Sequence, residues 1–225
     1  MKIAVIGEGS LAERVGDALG RDGHSITPKA SLSVVTEPQA IATWDGRFLF
    51  IDQKRRPYTV RPAAVRDAVR AIENGHYREE THRSFELSID DKPVATFVSD
   101  LTLVTAEPAH ISEYSVRPDA DATRDRSRFR ADGVVVATPL GSGGYAGAVG
   151  TPVLHATAGL AVAPIAPFST HTRSWVHDTP LWIGVERDDE ITVVIDGVEQ
   201  ATTTTGELLR VSVKDSYTLV VPIER

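Results

Sequence analysis

Apolar positions fall into short clusters along the whole chain, and their spacing changes once. Residues 2–6, Lys-Ile-Ala-Val-Ile, read as a strand. After Gly7 and Gly9, the positions Leu11, Val15, Ala18 and Leu19 recur at helical spacing, so a helix runs to about Leu19. Residues 24–27, 32–36 and 48–51 are further short strands. The spacing predicts a second helix over 62–74. Pro62 suits its first turn, Ala63, Val65, Ala68, Val69 and Ile72 supply its apolar side, and Asn74-Gly75 ends it. Strand alternating with helix predicts a small parallel sheet.

From residue 83 the period shortens. Phe85 to Ile89 alternates, and Asp90 to Pro93 forms a turn. Residues 94–105, 111–116, 134–137, 160–163, 181–186, 191–195, 208–213 and 217–221 all read as strands. Residues 118–127 and the threonine run 202–205 read as solvated loops. The expected fold class is α/β followed by β. A reduced α/β domain over 1–78 precedes a β-rich domain over 79–225, and the end of the chain is free to pack back on the first domain.

Composition narrows the class. A chain of 225 residues, 41% hydrophobic and 24% charged, is long enough to bury a core. No run of about 18 apolar residues suggests a membrane span. With no cysteine, disulfides, thiolate metal sites and cysteine nucleophiles drop out. The chain begins on a strand rather than a signal peptide, so a cytoplasmic place is expected. A net charge of −7 argues against nucleic acid and anionic membranes as partners. Lys occurs only at 2, 29, 54, 92 and 214, a balance compatible with a salt-adapted source.

Residues 129–150 carry the densest chemistry. Arg130 and Asp132 precede the buried strand 134–137, which runs into Thr138-Pro139 and then Gly141, Ser142, Gly143, Gly144 and Tyr145. Glycines after a strand let backbone N–H groups turn toward one point, which suits anionic or polar oxygens. A plain inter-strand turn would use the same glycines. Tyr145 offers a ring on which a base stacks. Pro164-Ile-Ala-Pro167 follows, with Arg173 close behind.

Arg-x-Asp-Gly, an apolar strand, Thr-Pro-x-Gly-Ser-x-x-Tyr, a Gly-x-Pro, a later His and Pro-Ile-x-Pro-x-Ser stand here in order. This set resembles the C-terminal half of NAD kinases over roughly residues 95 to 200. The resemblance implies an α/β domain followed by a β-rich one, and phosphoryl transfer from ATP or polyphosphate to the adenosine ribose 2′-hydroxyl of NAD, with Mg²⁺ if catalytic. It implies a homo-oligomer, and a nucleotide held by Ser99, Asp100, Arg130, Asp132, Thr138, Gly141, Ser142, Gly143, Gly144, Tyr145 and Pro167. Where the family has Asn-Glu, this chain has Ser99-Asp100, a pair that still suits contact with a ribose; a polar pair on an exposed strand face accounts for it equally well. Asp196-Gly197-Val198 stands where the family has Asp-Gly-Gln.

The family's Gly-Gly-Asp-Gly-Thr, whose Asp is taken as the catalytic base, is missing. Its place after Thr36 reads Glu37-Pro38-Gln39, and Pro38 lacks an N–H for phosphate. Asp45, before Gly46, is the nearest substitute, and Asp100 and Asp132 are weak catalytic candidates on the expected nucleotide side. Two function classes stay open: an active divergent kinase, and a non-catalytic NAD- or ATP-binding homologue acting as sensor or partner subunit. A weaker third is a Rossmann-type reductase using Gly7 and Gly9, although the acidic ribose partner about twenty positions on is absent. His171 and His177 are too far apart in sequence for a simple ligand pair, so no metal site is expected.

Overall fold

Among the described residues the apolar runs form one main core for each texture of the sequence, and the β-rich part adds a smaller cluster. The computed structural model describes residues 1–41, 46–53, 56–107, 110–121, 127–155, 159–187 and 190–223. The chain folds as two units, Met1–His82 with Ser216–Arg225, and Arg83–Asp215.

The first unit contains β1 (Lys2–Ile6), α1 (Gly9–Arg21), β2 (Ser25–Ile26), β3 (Leu32–Val35), α2 (Pro38–Ile41) and β4 (Arg47–Phe50). Pro62–Ala64 makes a 3₁₀ turn that continues into α3 (Val65–Glu73). β1 pairs in parallel with β2 and β3, and β3 with β4. Thr218 and Leu219 pair in parallel with Arg47 and Phe48. Val15 and Leu19 of α1 and Val65 and Val69 of α3 stand four residues apart, so each pair lies on one helix face. These faces join Ile3, Val34 and Leu49 of the sheet in one buried cluster.

The second unit carries the β-rich part. Its elements are β5 (Tyr77–Ile89), β6 (Lys92–Phe97), β7 (Asp100–Thr105), β8 (Ser112–Arg117), β9 (Ser127–Ala131), β10 (Gly133–Ala137), α4 (Tyr145–Ala148), β11 (Leu160–Ile165), β12 (Trp175–His177), β13 (Leu181–Arg187), β14 (Ile191–Ile195), β15 (Val198–Thr203) and β16 (Leu208–Pro222). β5 starts among residues of the first unit, and β16 ends there. Six antiparallel strands run in the order β12-β11-β10-β7-β14-β15. A second set runs β16-β13-β8-β9, with β6 paired to β5. Side chains alternate between faces. Val134 and Val136 join Leu101, Leu103, Ile183 and Val193 in the main core, while Val135 and Ala137 pack on the other face with Ala146 and Ala163.

The α/β-then-β class holds, and several boundaries move. Residues 94–105, expected as one strand, are two, and the break at Val98-Ser99 has a specific cause in the site below. Residues 208–213 and 217–221 form one strand, β16. Thr202 and Thr203 lie on β15 rather than in a solvated loop, and Thr203 is buried. The expected loop over 118–127 gives way at Ser127 to β9, and residues 122–126 fall outside the described residues. β9, β12 and β15 escape the apolar pattern because they are short or rich in polar positions. No helix among the described residues is long and apolar enough to cross a membrane.

Candidate functional site

Three central strands of the six-stranded sheet bring their ends together. Asp100 on β7 lies opposite Ala137 on β10, and Leu101 lies opposite Ile195 on β14. Asp100, Thr138 and Asp196 therefore gather at one end of the sheet. The Asp196 carboxylate accepts hydrogen bonds from three successive amides, Val98 at 3.1 Å, Ser99 at 2.8 Å and Asp100 at 3.0 Å. Its own amide donates to the Asp100 carbonyl at 2.8 Å. These bonds turn the chain between β6 and β7, which is why one apolar run becomes two strands. The Ser99 hydroxyl donates to Asp100 Oδ2 at 2.8 Å.

The glycine loop hangs on this turn. The Thr138 amide donates to the Ser99 carbonyl at 2.9 Å, and its hydroxyl donates to the Val98 carbonyl at 2.6 Å. At Gly141 a Cβ would stand 2.1 Å from the Ser99 carbonyl oxygen, so only glycine lets the two segments approach. The amides of Gly141 and Ser142 donate to the Thr138 carbonyl, and that of Gly144 to the Gly141 carbonyl. This corrects the expectation of a cradle of converging N–H groups, because three of those donors are consumed inside the loop. The Ser142 hydroxyl is likewise internal. It donates to the Pro139 carbonyl and accepts from the Leu154 amide, both at 2.9 Å, on a residue with no exposed surface. Gly143 and Gly144 remain half-buried, and Tyr145 is 44% exposed.

Burial pushes the Asp196 carboxyl up to about 6, against the pull of its three amide donors, and the nearby Asp100 carboxylate pushes the same way. The ionised form is therefore held in the fold above that pH at a real solvation cost.

Arg130 and Asp132 lie elsewhere. Gly133 stands opposite Val104, four residues along from the Ala137–Asp100 pair, or about 14 Å at the usual rise of a strand. Both side chains are exposed at that far end, so within this unit the structure does not bring Asp132 to Asp100. Pro167 borders a cavity of about 380 Å³ with Gly150, Thr172, Arg173 and Ser174.

The first unit places a carboxylate where the reductase reading needs a pyrophosphate. Gly7 has φ +131°, and a Cβ there would stand 2.1 Å from the Thr36 hydroxyl. The Glu8 amide, just before α1, donates to Glu37 Oε1 at 2.9 Å. That carboxylate would repel a phosphate at the same turn. Pro38 opens α2, with no amide hydrogen to offer. Asp45 falls outside the described residues. His177 Nδ1 is 2.6 Å from the Asp178 carbonyl, and the described residues contain no cluster of three metal-ligating side chains. Asp196 is the residue that sequence reasoning undervalued. Its Asp-Gly signal is visible, but the three amides it collects lie almost a hundred positions away.

A sequence model of the family described as the ATP-NAD kinase C-terminal domain matches residues 70–223. The chain belongs to the NAD kinase family. It is 26% identical to an NAD kinase of Thermoplasma acidophilum over 152 residues, covering 66% of this chain and 55% of that protein. It is 33% identical to an NAD kinase of Methanosarcina acetivorans over 116 residues, 50% of this chain and 41% of that protein. The chain thus spans about half the length of the curated relatives it matches. A crystal structure of yeast NADH kinase complexed with NADH superposes with a TM-score of 0.74 at 12% identity, covering 100% of this chain and 84% of that one. An NAD kinase from Archaeoglobus fulgidus in complex with ATP gives 0.66 at 20% identity, covering 97% and 93%. At these identities the two structures speak for the fold.

Proposed function

We propose that this chain binds NAD or an adenine nucleotide at the end of the six-stranded sheet, and that by itself it transfers phosphate from ATP to the ribose 2′-hydroxyl weakly or not at all. The carrying observation is the buried Ser99–Asp100 pair docked on the 138–145 loop. Both lie inside the region matched by the family. Related folds have been captured with NADH and with ATP, which supports nucleotides as ligands. Tyr145 supplies an exposed ring for stacking, and the half-buried Gly143 and Gly144 let a ligand approach the backbone. Thr138, Gly141 and Ser142 shape this loop through their internal bonds. Asp100 orients the ribose hydroxyl, with its own carboxylate held by Ser99. Mg²⁺ binds through one or two carboxylates and substrate phosphates, and Asp100 is the acidic side chain that fits such a role. The ion would supply charge stabilisation at the transferring phosphoryl group.

The non-catalytic reading rests on Glu37. A positioned base typically contributes about 10²–10⁴-fold, and preorganised donors at the phosphate contribute further. The Glu37-Pro38 segment offers a carboxylate already bonded to the Glu8 amide and a proline without an N–H. We place the protein in the cytoplasm as a homo-oligomer, on the strength of the family resemblance. Purified protein given NAD, ATP and Mg²⁺ and assayed for NADP, beside titrations of each nucleotide, tests the proposal. Tight binding with little NADP is expected. Turnover in the ordinary range of about 1–10³ per second would overturn it.

A further inference from the structure

The reading above gives no task to Asp196, the most thoroughly bonded acidic group at the site. We propose that Asp196 is a positioning residue, whose carboxylate gathers the amides of Val98, Ser99 and Asp100 and thereby sets the Ser99–Asp100 pair in the geometry that meets the nucleotide. This rests on the proposed nucleotide site, and it concerns how that site is held.

The geometry is specific. Three consecutive N–H groups point to one carboxylate, at 3.1, 2.8 and 3.0 Å, and the return bond from the Asp196 amide to the Asp100 carbonyl closes the clamp at 2.8 Å. Asp196 adopts φ +51°, a left-handed conformation that a short polar side chain tolerates better than a bulky one. The clamped segment supports the rest of the loop, because the Val98 and Ser99 carbonyls receive both bonds from Thr138. An uncharged amide in this place would face three donors with an NH₂ group on one side, so no orientation satisfies them all. The fold retains a buried carboxylate beside Asp100 even though burial disfavours its ionised form. Asp100 on β7 is the charged group whose field reaches it.

A pH dependence follows. Above about pH 6 the ionised carboxylate accepts from all three amides. Protonation converts one oxygen into a donor, so the clamp loosens as pH falls through that point and nucleotide affinity falls with it.

The test uses the full chain, with NAD as the probe because its pyrophosphate does not titrate near pH 6. Calorimetric titrations from pH 5 to 8 on wild type and Asp196→Asn are paired with hydrogen exchange at the amides of residues 98–100, corrected for intrinsic rates. The expected result is about tenfold to hundredfold weaker NAD binding in folded Asp196→Asn at pH 7.5. Wild-type affinity should fall below about pH 6, with the variant lacking that step. Exchange at the three amides should quicken in the variant while the rest of β7 stays protected. A folded Asp196→Asn protein with unchanged NAD affinity and slow exchange at 98–100 overturns the proposal. Should the variant fail to fold, wild-type exchange at pH 7.5 decides alone, and amides of residues 98–100 that exchange at the rate of an unstructured chain overturn the clamp. Wild type that binds no NAD at any pH removes the nucleotide reading, while the exchange data still decide whether Asp196 holds the turn.

Discussion

The glycines of the 138–145 loop perform different tasks, and substitution separates them. Gly141 exists for packing, since a Cβ would meet the Ser99 carbonyl oxygen at 2.1 Å. Gly141→Ala should destabilise the protein by about 1–3 kcal/mol, the usual range for overpacking, read from chemical denaturation. Gly143 is half-buried on the ligand side, so Gly143→Val should abolish nucleotide binding and leave the thermal midpoint near wild type. A folded Gly143→Val protein with wild-type affinities for NAD, NADP and ATP would remove this loop from the site. If a base stacks on the ring, Tyr145→Ala should weaken binding by about 1–3 kcal/mol, measured by the same titrations.

Elements decide what the residues meet. β7, β10 and β14 are adjacent and antiparallel, so the start of β7 and the ends of its two neighbours fall together. The same register sends Arg130 and Asp132 to the far end of β10, although the chain places them only a few residues before Thr138. In the first unit, β1 leads into α1 through a turn already capped by Glu37. Glu37→Ala should cost less than about 1.5 kcal/mol of stability, the worth of one modest hydrogen bond, and leave NAD affinity unchanged. A sharp gain in NADH binding by that variant would revive the Rossmann-type reductase reading based on Gly7 and Gly9.

At the scale of the whole molecule, Asp196 links pH to stability. Its folded-state pKa stands at about 6 against an ordinary 3.8, so between these values the folded state holds more protons than the unfolded one. Stability from this group is therefore greatest at low pH and declines as pH rises from about 4 to about 6. Wild type should therefore lose on the order of 3 kcal/mol relative to Asp196→Asn as the comparison moves from pH 4 to pH 7. Equal pH dependence in the two proteins would show that Asp196 titrates normally. Nucleotide binding and stability thus respond to its ionisation with opposite sign, a trade-off expected where a site holds a costly charge in place.

The sequence by itself determined the two textures, because period and composition are local properties. Helical spacing in α1 and α3, and β-branched runs such as 134–136, are visible without knowing what they pack against. The ordered motif from Arg130 to Pro167 likewise carried the family. Tertiary structure decided which of those residues meet. Strand register separated Arg130 and Asp132 from Asp100, and internal hydrogen bonds withdrew Ser142 and three loop amides from a ligand. The break at Val98-Ser99 lay beyond any local pattern, since its cause is a carboxylate almost a hundred residues later in the chain.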